Sequence, residues 1–177
     1  GGLGIIASLS YETPEILREE IKKTRSLTDK PFAVNIPFLP TIRPVKYEDY
    51  IEVIIDEGVS AIETAAGKLE PYTKMIKDSG ITWMHKVGAA RHAKTAERTG
   101  VDIVNVVSFE AAGHPLPEDV AASVLIPACV DAVKIPVVQA GGVADARGFI
   151  SALAMGAEGV MMGTRFVATR ECTANEK

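Results

Sequence analysis

Two stretches in the C-terminal half of the chain decide its fold, because each is an apolar run that ends on glycine. They read Val137-Val138-Gln139-Ala140-Gly141-Gly142 and Val160-Met161-Met162-Gly163-Thr164. Short runs of Val, Ile and Met with little polar alternation are typical of strands buried on both faces, as in a parallel sheet. A glycine directly after such a run permits a tight turn into the next element. The two stretches therefore predict two consecutive β-α units.

The same pattern extends back to the start of the chain. Five further apolar runs are predicted as strands, at residues 5–8, 32–35, 61–64, 83–86 and 103–107. Helical periodicity fills the intervals, at residues 45–57, 69–78, 90–99, 119–132 and 145–155. A further helix is predicted after the Thr13-Pro14-Glu15 start signal, with Ile16, Leu17, Ile21 and Leu27 on or near one face. The chain thus predicts repeated β-α units in one domain.

The position of the glycines favours a closed barrel over an open dinucleotide-binding sheet. An open sheet of that kind would carry G-x-G-x-x-G after its first strand, whereas Gly1-Gly2-Leu3-Gly4 precedes the first apolar run. We therefore predict an α/β fold of the TIM (β/α)8-barrel type over residues 1–177. A complete barrel takes ~250 residues. We expect a truncated barrel with strands two to eight present, its first strand and its C-terminal part lying outside this sequence.

Composition narrows the classes of partner. The chain has 19 Lys and Arg against 23 Asp and Glu, a formal charge of −4, and 47% hydrophobic residues. No apolar stretch approaches the ~18 residues of a membrane span, and no basic run offers a nucleic-acid surface, so we expect neither partner. Cys129 and Cys172 are too few for a disulfide or zinc framework, which indicates a cytoplasmic protein without a metal. The oligomeric state stays open.

The glycine turns also suggest an anion site. TIM barrels commonly bind a phosphate at the loops after strands seven and eight, which is where Gly141-Gly142 and Gly163-Thr164 are predicted to fall. Backbone N–H groups can approach an anion closely at such turns, and a following helix start adds its positive end. The alternative is that the glycines only form tight turns.

Two side chains at predicted strand ends could take part in chemistry. Lys86 ends the run 83–86, where its ammonium either contacts a ligand or forms a solvated charge at the rim. His85 is expected to pack in the interior. His114 follows strand 103–107 within Ser108-Phe109-Glu110-Ala111-Ala112-Gly113-His114-Pro115 and could transfer a proton. The alternative is a histidine that is hydrogen-bonded within its own loop.

The motifs in combination resemble one family. Phe32-Ala33-Val34-Asn35, His85-Lys86, the loop 109–115, Ala140-Gly141-Gly142 and Met162-Gly163-Thr164-Arg165-Phe166 occur in the order seen in the nitronate monooxygenase (2-nitropropane dioxygenase-like) family, close to its NADH:quinone reductase branch. This resemblance implies an FMN-dependent barrel in which His114 is catalytic. It implies that Lys86 and Asn35 reach the flavin ring and that Ala111 and Gly113 leave room for it. The implied phosphate ligands are Ala140, Gly141, Gly142, Gly163 and Thr164.

The activity implied by the resemblance is oxidation of alkyl nitronates with O2. An NAD(P)H:quinone reductase of the same fold, with NAD(P)H as electron donor, is the alternative, and a flavin-dependent enoyl reductase is a third relative. Outside the family, a non-redox barrel isomerase or lyase acting on a phosphorylated metabolite would use the same anion turns. A partial barrel that binds no cofactor is the remaining alternative.

Overall fold

The structure, a computed structural model, describes residues 2–41, 44–113 and 119–172 and comprises two units. The first unit consists of Gly1–Lys86 and Thr99–Asp102, and the second of Val87–Arg98 and Ile103–Lys177. In chain order the strands are β1 (Gly4–Ala7), β2 (Phe32–Pro37), β3 (Ala61–Ala65), β4 (Thr82–Val87), β5 (Ile103–Val107), β6 (Val137–Ala140) and β7 (Gly159–Met161). The helices are α1 (Pro14–Leu27), α2 (Tyr47–Asp56), α3 (Glu70–Ser79), α4 (Ala90–Thr99), α5 (Ala122–Val130), α6 (Ala146–Ala154) and α7 (Thr164–Val167).

The strands pair in parallel within each unit. In the first unit β1 to β4 are neighbours in chain order, with Asn35 opposite both Ala7 and Glu63, and Ala65 opposite Lys86. In the second unit β5 pairs with β6 and β6 with β7. Because paired strands within each unit run in the same direction, their carboxyl ends lie at the same edge. The predicted strands and helices are all found, with ends shifted by a few residues, and the short α7 is an addition.

Helix α1 shows how the local sequence sets an element. The Thr13 hydroxyl accepts a hydrogen bond from the Ile16 N–H at 3.3 Å, and Pro14 takes the first helical position, where no N–H is needed. Leu17 and Ile21 are completely buried. Ile16 and Leu27, which we predicted on or near the same face, are exposed, so the buried stripe of the helix is narrower than the sequence suggested.

The two faces of the sheet in the first unit differ in chemistry. Because side chains alternate along a strand, the register puts Val34, Ile62 and Trp83 on one face, all of them almost completely buried. The other face carries small and polar side chains, among them Asn35 and Glu63. A buried polar face at the carboxyl ends of parallel strands is where a ligand site is expected in such folds.

Cys129 lies in the apolar part of α5 and is free and completely buried. Burial raises the pKa of its thiol to about 11, so the thiol stays protonated near neutral pH. This agrees with the expected packing role. Of the helices in the described part of the chain, none has the length and apolar character needed to cross a membrane.

Candidate active site

Three polar side chains meet at the carboxyl ends of β2, β3 and β4. Glu63 Oε2 accepts a hydrogen bond from Asn35 Nδ2 at 2.7 Å and lies 3.2 Å from Lys86 Nζ. The backbone carbonyl of Glu63 also lies 3.4 Å from the same Asn35 nitrogen. One carboxylate oxygen therefore joins an amide and an ammonium group that stand on the two neighbouring strands.

This cluster contains a charge that is unusually deep for a carboxylate. The Glu63 side chain is 0% exposed, whereas the Lys86 side chain is 30% exposed. An isolated carboxylate in the interior is strongly unfavourable, and a paired, hydrogen-bonded carboxylate is tolerated. Lys86 therefore neutralises Glu63 on one side while its exposed part is accessible to a ligand. The sequence left open whether Lys86 contacts a ligand or forms a solvated charge at the rim; the structure adds that Lys86 is ion-paired and partly exposed.

His85 lies on the opposite face of β4, as expected for a packing histidine. It is 8% exposed, and its Nδ1 is 2.8 Å from the Thr64 hydroxyl oxygen. The same oxygen accepts a hydrogen bond from Trp83 Nε1 at 2.9 Å. These three side chains form a buried polar contact that is separate from the Glu63 cluster.

The predicted phosphate turns lie side by side in the second unit. Ala140 is opposite Met161 in the register of β6 and β7, so the turns 141–142 and 163–164 leave the sheet as neighbours. Gly142 and Gly163 are exposed. A shared anion site needs two turns that are adjacent in this way, and the phosphate site stays a prediction.

The glycines in the two turns differ in how tightly their surroundings and their backbone conformation restrict the residue type. Gly141 has φ +101°, and a Cβ there would lie 2.7 Å from the Ala111 nitrogen and 2.9 Å from the Ser108 hydroxyl oxygen. Packing alone therefore requires a glycine at position 141. At Gly163 the φ of −110° suits any residue, and a Cβ would meet nothing within 4 Å. Within the described residues, neither strain nor packing therefore requires a glycine at position 163.

The helix starts beyond the two turns are not equivalent. Asp145 caps α6, because its carboxylate accepts the N–H groups of Arg147 and Gly148. Hydrogen bonds from the Arg147 side chain and these N–H groups hold the pKa of Asp145 below its usual value. In contrast, no side chain caps α7 at Gly163. The N–H groups at the start of α6 are therefore already hydrogen-bonded to the Asp145 carboxylate.

The loop after β5 is held by Glu110. Both carboxylate oxygens of Glu110 accept the Ala122 N–H, at 3.2 Å each, and the Ala111 N–H donates to the Ser108 carbonyl. Burial acts to raise the pKa of Glu110, but hydrogen bonds from Ser108 and from backbone N–H groups outweigh it and keep the pKa low. Gly113 is exposed with φ +92°. His114, the predicted catalytic residue, lies outside the described residues, so its role stays a prediction.

Glu63 is the site residue that the sequence analysis missed. The available signal was a lone carboxylate inside the apolar run Ala61-Ile62-Glu63-Thr64, where a charge has to be paired.

Two surface hollows, of about 430 Å³ along α4 and about 150 Å³ near Trp83 and Asp102, contain none of the predicted cofactor residues. Within residues 2–41, 44–113 and 119–172, no group of three or more His, Cys, Asp or Glu side chains could hold a metal ion.

Comparison with known proteins finds two kinds of relative, a carboxyl-CoA dehydrogenase and a probable nitronate monooxygenase. The chain is 43% identical to a (3aS,4S,5R,7aS)-5-hydroxy-7a-methyl-1-oxo-octahydro-1H-indene-4-carboxyl-CoA dehydrogenase of Rhodococcus jostii, over 98% of this chain and 47% of that protein. It is 33% identical to a probable nitronate monooxygenase of Staphylococcus haemolyticus, over 99% of this chain and 60% of that protein. The chain thus spans about half to three fifths of the length of these relatives.

Solved structures confirm the fold class. FabK from Thermotoga maritima superposes with a TM-score of 0.87 at 39% identity, covering 97% of this chain and 53% of that one. The chain has the fold of a partial (β/α)8-type barrel, as the sequence predicted. The model of the nitronate monooxygenase family matches residues 1–44 and 38–177, which together take in the whole sequence. The chain therefore belongs to the nitronate monooxygenase family.

Proposed function

We propose that the protein is an FMN-dependent oxidoreductase. The observation that carries this proposal is the adjacency of two glycine turns, 141–142 and 163–164, which follow the paired strands β6 and β7. A phosphate dianion is a group that main-chain N–H donors at such turns bind well. The whole chain belongs to a family whose sequence motifs imply a flavin, and FMN carries a phosphate of this kind.

The residues present suit the parts of FMN that they would hold. The turns formed by Ala140, Gly141, Gly142, Gly163 and Thr164 would hold the phosphate. Lys86 and Asn35 offer an ammonium and an amide, which match the carbonyl and N–H groups at the polar edge of an isoalloxazine ring. Ala111 and Gly113 would leave room for the ring. When bound, FMN supplies the electron transfer that protein side chains cannot perform.

The chain's own residues would then control charge and protons. The Lys86 ammonium would stabilise negative charge at the polar edge of the ring, and Asn35 would fix the ring's orientation by hydrogen bonding. His114 would take the proton from a substrate carbon that is acidified by a neighbouring electron-withdrawing group. A thioester carbonyl or a nitro group acidifies such a carbon. A nitronate has already lost this proton, and His114 would then position the substrate anion instead.

An acyl-CoA thioester is the first candidate substrate class. It is supported by the 43% identity to the R. jostii carboxyl-CoA dehydrogenase in an alignment of 173 residues, which fits this chain's 177 residues without a large gap. The alignment with the S. haemolyticus protein runs over 221 residues, so that relative carries a segment with no counterpart here. The two pieces of the family match meet at residues 38–44, after β2, which suggests that the additional segment falls at that loop.

Nitronate oxidation with O2 is the second candidate and rests on the family match and on the S. haemolyticus relative. Three assays on the purified whole protein separate the candidates. Anaerobic bleaching of the flavin by an acyl-CoA supports the first, and O2 consumption with an alkyl nitronate supports the second. Bleaching by NAD(P)H followed by reoxidation with a quinone would instead identify the quinone reductase predicted as an alternative from the sequence. A protein without flavin absorption, even after addition of FMN, contradicts the proposal as a whole.

A further inference from the structure

Glu63 occupies the centre of the polar cluster in the first unit, and its position constrains both neighbours. Its Oε2 atom is shared between Asn35 Nδ2 and Lys86 Nζ, at 2.7 and 3.2 Å. The register holds the three strands in place, with Asn35 directly opposite Glu63 on β2 and Ala65 opposite Lys86 on β4. The strand register therefore fixes the position of Glu63, and the side chains of Asn35 and Lys86 both reach its Oε2 atom.

The carboxylate decides which way the Asn35 amide faces. Both hydrogen bonds of the Asn35 side chain use Nδ2, which donates to the Glu63 carboxylate and to the Glu63 carbonyl. A carboxylate can only accept, so it selects the NH2 end of the amide. The amide oxygen Oδ1 consequently points away from Glu63 and is presented as an acceptor. An uncharged donor in place of Glu63 would allow the amide to turn over.

The same carboxylate sets the charge that a ligand meets. Lys86 is 30% exposed and would act on a bound ring as a full positive charge if it were alone. With Glu63 completely buried beside it, the pair is neutral overall, and only its dipole acts on a ligand. Removing the negative charge would leave an uncompensated ammonium, whose field is weakly screened in a partly dry site.

We propose that Glu63 is a positioning residue, which orients the Asn35 amide and moderates the charge of Lys86 so that the two side chains bind the polar edge of the flavin ring. This inference rests on the proposed function, because it takes FMN as the ligand. Glu63 acts through its two neighbours and has no proton-transfer role. It stabilises the oxidised ring relative to the reduced, negatively charged ring, since it cancels most of the field of Lys86.

The test compares Glu63→Gln with a matched control, Glu57→Gln, in the whole protein. Glu57 forms an ion pair of the same kind with Arg18, at 2.7 Å and with side-chain exposures of 12% and 31%, but at the C-terminal end of α2. The measurements are the dissociation constant of FMN, from quenching of flavin fluorescence, and the midpoint potential of the bound flavin. Both report on the ring directly and need no substrate.

We expect Glu63→Gln to weaken FMN binding roughly tenfold, about the effect of losing one hydrogen bond to a charged group, and to make the midpoint potential more positive. Glu57→Gln should leave both values as in the wild type. If Glu63→Gln does not fold, Glu63→Asp keeps the charge and should weaken FMN binding without moving the potential.

Two results overturn the inference and leave the proposed function intact: wild-type values for both quantities in Glu63→Gln, or a wild-type dissociation constant in Glu63→Asp. A loss of thermal stability in Glu63→Gln without any shift of potential would show a purely structural role and overturns it as well. A wild-type protein that binds no FMN contradicts the proposed function itself, before any variant is measured.

Discussion

Glu63 is completely buried with its carboxylate 3.2 Å from the Lys86 ammonium, which is itself partly exposed. The pair joins two strand ends in the first unit. A buried ion pair adds little net stability compared with apolar side chains of similar size. Stability alone therefore does not explain a charged pair at this position. Such a pair is expected where a ligand has to be bound and oriented.

Replacing Lys86 should show how strongly the stability of the fold depends on the Lys86–Glu63 ion pair. We expect Lys86→Met to lower the free energy of unfolding by about 3–5 kcal/mol, since it removes the ammonium group that pairs with a completely buried carboxylate. Urea unfolding measures this. Lys74→Met is the control, because Lys74 pairs with Asp78 on the exposed face of α3, and it should leave stability almost unchanged. Equal stability of the two variants would mean that Glu63 finds another partner.

The two glycine turns should respond to substitution in opposite ways. Gly163→Leu should reduce FMN affinity at least about tenfold while changing unfolding free energy by less than ~0.5 kcal/mol, because residue 163 is exposed and a Cβ there meets no described atom within 4 Å. Gly141→Ala should instead destabilise by about 1–3 kcal/mol, since φ is +101° and the Cβ would collide with the Ala111 backbone. Fluorescence titration and urea unfolding measure the two effects. A Gly163→Leu protein with wild-type affinity would remove the main support for the phosphate site.

The predicted role of His114 can be tested by its removal. His114→Ala should lower turnover by roughly 10²–10⁴-fold, the usual contribution of a general acid or base. Flavin content should be unchanged, because a proton-transferring residue is not needed to hold the cofactor. Steady-state kinetics with whichever substrate the three assays above identify, together with the flavin absorbance per protein, decides this. Unaltered turnover would contradict the catalytic role of His114.

Cys129 provides a prediction for the pH dependence of stability. Burial raises the pKa of its thiol from 9.0 to about 11, so the unfolded chain loses this proton at a lower pH than the folded protein. Its contribution to stability is therefore fully present below pH 9 and is lost as the pH rises towards 11. Urea unfolding of the wild type and Cys129→Ala between pH 8 and 11 should show a steeper decline for the wild type. Parallel curves would mean that the thiol titrates normally.

Most of the fold could be predicted from the sequence because the signals are local. Apolar runs of four or five residues mark the strands, and Thr13-Pro14 marks the start of α1. The face of a helix that becomes buried depends on its neighbours, and for that reason Ile16 and Leu27 were placed wrongly. The sequence analysis also did not predict that Asp145 caps α6. Its carboxylate accepts hydrogen bonds from the N–H groups at the start of that helix, which are then not available to a ligand.

The candidate site was predictable only in part. Lys86 and Asn35 were singled out individually, but their common partner Glu63 was not, since pairing across strands depends on a register that the sequence does not display. The distinction between Gly141 and Gly163 likewise required the packing around each glycine. Periodicity identified the strand ends, whereas the contacts between their side chains came from the structure.

The most direct test of the central claim is to titrate the flavin-free whole protein with FMN and, separately, with riboflavin, which has the same ring but lacks the phosphate. If the turns at residues 141–142 and 163–164 hold the phosphate, FMN should bind at least roughly 100-fold more tightly, as expected for the loss of two hydrogen bonds to a charged group. Equal affinity for FMN and riboflavin, or binding of neither, would contradict the account.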